Sequence, residues 1–275
     1  GMLYVASASG AGLTPAYGLL AAIVGCVWTT TLLGVRETEP PPAFTGIRTV
    51  GRQVVRYVGQ TLRSMLGSVQ SWATLALALL PPGAMALGLA LSAALAVEVG
   101  LTDDEVATLG LIGALGGATG SVVGGWISDR VGHRKMLAVY VLLTLVPTVA
   151  LGLAMHSAGG TMPQTDPPVA PGFLVTTFWV ATGAYGLASG LAYGTRMAVF
   201  MAACSPAVAA TQFTAYMAAM NLGTSVAAWW QGVAVERWGY PTTLAIDCGV
   251  GLLCLLTLPF VRSAASGPEP DAASL

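Results

Sequence analysis

Apolar residues in this chain fall in long, almost unbroken runs. They show neither the single apolar stripe of a soluble helix nor the alternation of a half-buried strand. Seven runs stand out, over residues 12–34, 73–97, 106–128, 136–154, 173–195, 210–232 and 241–261, each bounded by charges or by Pro/Gly clusters. A helix of about 20 apolar residues crosses the hydrocarbon layer of a bilayer, so the pattern predicts an all-α membrane protein with seven spans. The stretch 35–71 breaks this pattern. It opens with the turn-rich Glu37-Thr38-Glu39-Pro40-Pro41-Pro42 and continues with Arg48, Arg52 and Arg56 at helical spacing, predicting an interfacial amphipathic helix on a linker. Residues 263–275, rich in Ala, Ser and Pro, have little to bury and are expected to be a disordered tail.

Charge adds a direction. Arg36, Arg48, Arg52, Arg56 and Arg63 lie between the first two runs, Arg130, Arg134 and Lys135 between the third and fourth, Arg196 after the fifth and Arg262 after the seventh. With seven crossings, all of these places share one side. The other side holds Arg237 among Glu98, Asp103, Asp104, Glu105, Asp166 and Glu236. Cytoplasmic loops retain basic residues, so Gly1 is expected outside and Leu275, with the linker and tail, in the cytoplasm, as in a bacterial inner-membrane protein.

Composition narrows the classes. Of 275 residues, 55% are hydrophobic and 8% charged, against about 25% charged in soluble domains. The 35 glycines suit membrane helices, where small residues let backbones approach. With a net charge of −1 and no basic tract, nucleic acid is excluded as a partner. Cys26, Cys204, Cys248 and Cys254 lack metal-ligand spacing and read as small buried hydrophobes, so neither a metal nor a cofactor is expected. The two histidines, His133 and His156, fall at opposite ends of the fourth span, and no catalytic or nucleotide-binding fingerprint stands in a usable context, which argues against an enzyme. A retinal pigment fails as well, because the one lysine, Lys135, lies in a loop. A transporter and a noncatalytic assembly subunit remain.

Two motifs carry more. The third connection reads Gly124-Gly125-Trp126-Ile127-Ser128-Asp129-Arg130-Val131-Gly132-His133-Arg134-Lys135. Gly125, Asp129, Arg130, Gly132 and Arg134 form a tight turn with a carboxylate among basic residues, suited to latching one conformation; the competing reading is a solvated loop. This pattern resembles the signature loop of the major facilitator superfamily. Further on, Ser205-Pro206-Ala207-Val208-Ala209-Ala210-Thr211-Gln212-Phe213-Thr214-Ala215-Tyr216 leads to Trp238-Gly239-Tyr240-Pro241. That stretch is similar to the eleventh helix and its exit in the branch holding muropeptide permeases and acetyl-CoA transporters.

The resemblance implies a six-helix C-terminal bundle over residues 72–262, preceded by the equivalent of helix six in residues 1–34 and by the linker 35–71. It also implies alternating access, proton coupling and a small-molecule solute. On that reading most of an N-terminal half is missing, and either a truncated reading frame or a second copy must account for it. One departure is notable: where muropeptide permeases carry an acidic residue in helix ten, the fifth span has Tyr185 and Ser189.

Within this frame Pro81 and Pro82 must interrupt the second span, as a gate beside a cavity or as a plain kink. Gly116, Gly120 and Gly124 form a packing face. Thr182, Tyr185, Ser189 and Tyr193 share one face of the fifth span, and Gln212, Thr214, Asn221 and Ser225 lie along the sixth; they line a cavity or bond between helices. Asp247 is the candidate proton carrier, against a hydrated carboxylate near the outer surface. Arg196 is a candidate anion contact, against a snorkelling side chain, which the position favours.

Overall fold

The computed structural model describes residues 14–34, 47–160 and 170–261. The proline-rich stretch 37–42, Arg36, Asp166, Arg262 and the 263–275 tail lie outside them. The described residues are helical, without strands. The helices are α1 (Thr14–Gly34), α2 (Ile47–Leu66), α3 (Val69–Leu79), α4 (Ala90–Glu98), α5 (Asp103–Val131), α6 (His133–Ser157), α7 (Gly172–Ala203) and α8 (Ala209–Leu252), the last running into a 3-10 segment, Leu253–Phe260.

Among the described residues, four segments are long and apolar enough to cross a membrane: α5, α6, α7 and the 52 residues Ala209–Phe260. The fourth is not one rod. Gln231 donates its side-chain N–H to the Asp247 carboxylate at 2.7 Å across 16 residues, a separation of about 24 Å in an unbroken helix. The chain therefore turns back at Gly239, whose φ of 75° and ψ of 173° are non-helical. Pro241 follows, early in the second arm, where a missing amide proton costs little. The sixth predicted span thus continues to Trp238 instead of ending near 232, and no loop separates it from the seventh.

The second predicted span is two pieces. Helix α3 stops at Leu79, and the chain resumes with a short 3-10 turn, Ala86–Gly88, before α4. The two hydrophobic cores part at this gap. One gathers Leu87, Leu95, Phe178, Tyr185 and Leu244; the other gathers Leu77, Leu137, Phe200, Tyr216 and Cys254. Large apolar side chains also cover the outside, as with Val122 (75% exposed) and Leu256 (70%), the surface expected where lipid is the solvent.

The most extensive helix pair is α5 against α7. Gly116, Gly120 and Gly124 of α5 lie on the α7 backbone from Gly186 to Leu191, while Gly186, Gly190 and Gly194 of α7 lie on Gly113, Gly117 and Ser121. A Cβ on Gly116 would fall 3.1 Å from the Leu187 nitrogen and one on Gly186 2.9 Å from the Gly113 Cα. Only glycine permits that approach. Thr195 adds a hydrogen bond from its hydroxyl to the Gly124 carbonyl at 3.3 Å.

The helix ends are tied off by a local cap and by long-range contacts. Thr102 and Glu105 cap the start of α5 reciprocally: Thr102 N donates to the Glu105 carboxylate at 2.8 Å, and Glu105 N to Thr102 Oγ1 at 3.4 Å. In the first turn of α6, Arg134 Nη1 donates to the Val261 carbonyl at 2.7 Å. Tyr57 of α2 meets the Thr211 hydroxyl at 2.5 Å.

Candidate functional site

Pro81 and Pro82 have no amide hydrogen to offer, and Gly83 takes a φ of 91°. In hydrocarbon every other backbone group at such a gap needs a partner. The neighbouring helices supply them. Gly83 N donates to the Gly251 carbonyl at 3.2 Å, Ala84 N to Thr144 Oγ1 of α6 at 3.2 Å, and Met85 N and Ala86 N to Asp247 Oδ2 at 2.7 and 2.9 Å. On the α3 side Arg196 Nη2 donates to the carbonyls of Leu77, Ala78 and Leu80. A cation thus caps the C-terminal end of α3, where the helix dipole favours its sign, and a carboxylate holds the amides that open the 3-10 turn.

Beside this gap lies a cavity of about 420 Å³ between the 3-10 turn, α4, α5 and α7. Its polar lining comes from Ser92, Thr182, Tyr185 and Ser189. The Tyr185 ring lies over Gly88, where a Cβ would come within 2.8 Å of ring Cε1. The cavity is therefore one step along the chain from Ala86, which Asp247 holds. It also borders the glycine interface, since Gly113 and Gly186 are part of its wall.

Several expected sites fall elsewhere. Tyr193 is 47% exposed and not in the cavity wall: an offset of eleven keeps the angle but moves the side chain about 16 Å along the axis. Thr214, Asn221 and Ser225 are exposed too. The first arm of α8 turns Gln212, Tyr216, Met220 and Ala227 inward instead, and the Thr214 and Ser225 hydroxyls donate to Ala210 and Asn221 carbonyls of their own helix. Gln212 is buried, accepting from Ser205 N at 2.8 Å and donating to the Tyr216 hydroxyl at 3.0 Å; it secures the entry to α8. Arg196 does not snorkel. It is 2% exposed, and the open carbonyls of α3 hold it inside. Asp247 is no hydrated surface carboxylate, being 1% exposed.

The signature loop is a one-residue turn at Gly132, with a φ of 112°. Asp129 lies 3.3 Å from the side chain of His133, the first residue of α6. The Arg130 guanidinium stacks over Trp126 at 3.6 Å. Gly125 faces open space, and the packed glycine is its neighbour Gly124.

Thr144, Gln231 and Gly251 belong to the set of contacts around the gap, and no sequence motif marks them. The available signal was faint: single polar or small residues inside apolar runs, two of them well away from any motif.

An all-helical membrane bundle with a discontinuous helix at a cavity defines a class of polytopic membrane proteins that includes many transporters. Residues 73–274 match the family model of the Major Facilitator Superfamily, and the chain belongs to that superfamily. It is, in general terms, a membrane transporter. No curated protein and no solved structure matches the chain.

Proposed function

We propose that the protein is a secondary active permease that moves a small solute by alternating access, driven by protons, with muropeptide-like uptake as the resemblance of residues 205–241 implies. The observation that carries this reading is Asp247. Its carboxylate holds the amides of Met85 and Ala86, and the next two residues, Leu87 and Gly88, form the cavity wall with Tyr185. Adding a proton to Asp247 removes the charge that anchors the 3-10 turn, so a proton and a solute act on the same few residues. Orientation follows the basic residues, with the C-terminus in the cytoplasm, and a facing six-helix half, or a second copy, closes the cavity on its other side.

The test uses sealed vesicles containing the protein, an imposed pH gradient and a radiolabelled disaccharide-peptide. Gradient-driven uptake is expected in the natural protein. In Asp247→Asn gradient-driven uptake is lost while solute exchange at equal pH continues. Undiminished gradient-driven uptake in that variant removes Asp247 from coupling. A protein that takes up no disaccharide-peptide under any gradient overturns the muropeptide assignment.

A further inference from the structure

Four threonines lie in α7. Thr176 and Thr177 give their hydroxyls to carbonyls four residues back at 2.9 and 2.8 Å, the usual resting place for a threonine in an apolar helix. Thr195 reaches across to Gly124. Thr182 does neither. Its Oγ1 is buried and has no partner among the described residues, although the residue is 92% buried (8% exposed). Buried hydroxyls are nearly always paired, and this one belongs to a side chain in the cavity wall.

That wall carries no acidic or basic side chain. The two buried charges are already engaged: Asp247 Oδ2 accepts from the backbone amides of Met85 and Ala86 and Oδ1 from the Gln231 side chain, and Arg196 Nη2 serves three carbonyls. A charged group seated against this wall would give up water with no side chain of opposite sign in the wall to replace it, which is unfavourable, whereas a hydroxyl or amide would meet hydroxyls. The volume, about 420 Å³, lies toward the small end of ligand pockets, roughly 300–1,000 Å³.

Resting on the permease reading above, we propose that this cavity receives an uncharged, hydroxyl- or amide-bearing portion of the solute, and that Thr182 is its hydrogen-bond contact. Any charged part of the same solute stays outside this pocket. The buried arginine is a helix cap and not the anion site that the resemblance to carriers of anionic solutes suggests.

The test measures the charge preference of the cavity and needs neither a known solute nor transport. In a Cys26→Ser background, Thr182→Cys is treated with methanethiosulfonate reagents of matched size carrying a neutral, an anionic or a cationic group. Each rate is divided by that for Ser157→Cys, at the exposed end of α6. The neutral reagent is expected to be favoured at Cys-substituted position 182 by at least tenfold over both charged ones. Equal or faster anionic modification overturns the proposal, as does a thiol that no reagent reaches. Ser189→Cys, also in the wall, is read the same way should the first variant fail to fold. Because labelling does not depend on uptake, a protein that transports nothing yet shows the neutral preference defeats the permease reading alone.

Discussion

The α5–α7 interface and the gap between α3 and α4 meet the same demand in opposite ways. Along α5 and α7 each helix satisfies its own backbone, and side chains are removed until the two backbones touch. At the gap the backbone cannot satisfy itself, and side chains from three other helices are brought in to do so. One region is held by the absence of atoms at Cβ, the other by a few buried polar atoms. Only the second can be released by a chemical event as small as a proton transfer. That the cavity is walled by both regions places a rigid face opposite an adjustable one.

Substitutions separate these two modes. The largest effect is expected from Asp247→Ala, which strands the amides of Met85 and Ala86 and the Gln231 N–H. At about 1–3 kcal/mol for each stranded group, a loss of at least about 3 kcal/mol should appear as a lower melting temperature in detergent, with faster amide exchange confined to 83–88. Gly190→Ala comes next: its methyl would collide with the Gly117 backbone, and overpacking of this kind costs about 1–3 kcal/mol. Its thermal melt should fall with no selective exchange at the gap. Arg196→Lys keeps the charge and loses the planar fork, so a loss of about 1–2 kcal/mol is expected, with the exchange change on the α3 side of Pro81. Gly125→Ala meets nothing within 4 Å, and its melt should stay within about 0.5 kcal/mol of the natural protein. If Gly125→Ala proved as damaging as Gly190→Ala, the assignment of the packed face would be wrong.

The spans α5 and α6 were legible because lipid imposes a simple rule, and both exceed their predicted limits by only three residues at each end. The interruption at Pro81-Pro82 was legible for the same reason: two missing donors in succession leave a helix no choice. What holds the interruption was hidden. Thr144 lies 60 residues from Ala84, and Asp247 161 from Ala86, so no local pattern connects them. Asp247 itself drew notice as a charge in an apolar run, but its place in the run suggested water nearby, and only the hairpin at Gly239 shows it enclosed. The glycine pair 124–125 illustrates a finer limit. One residue is a turn of about 100° around the helix, enough to exchange a packed position for an open one, and glycine carries no side chain to say which is which.

Gln231 has a consequence of its own. A carboxamide bears a donor and an acceptor back to back, and here the donor side meets Asp247 while the buried Oε1 has no partner among the described residues. Half a revolution of the terminal amide would present that oxygen to an acid hydroxyl on Asp247. The same glutamine can therefore serve either ionisation state as a swivelling companion, keeping the α8 hairpin fastened while the grip on the neighbouring turn is relaxed.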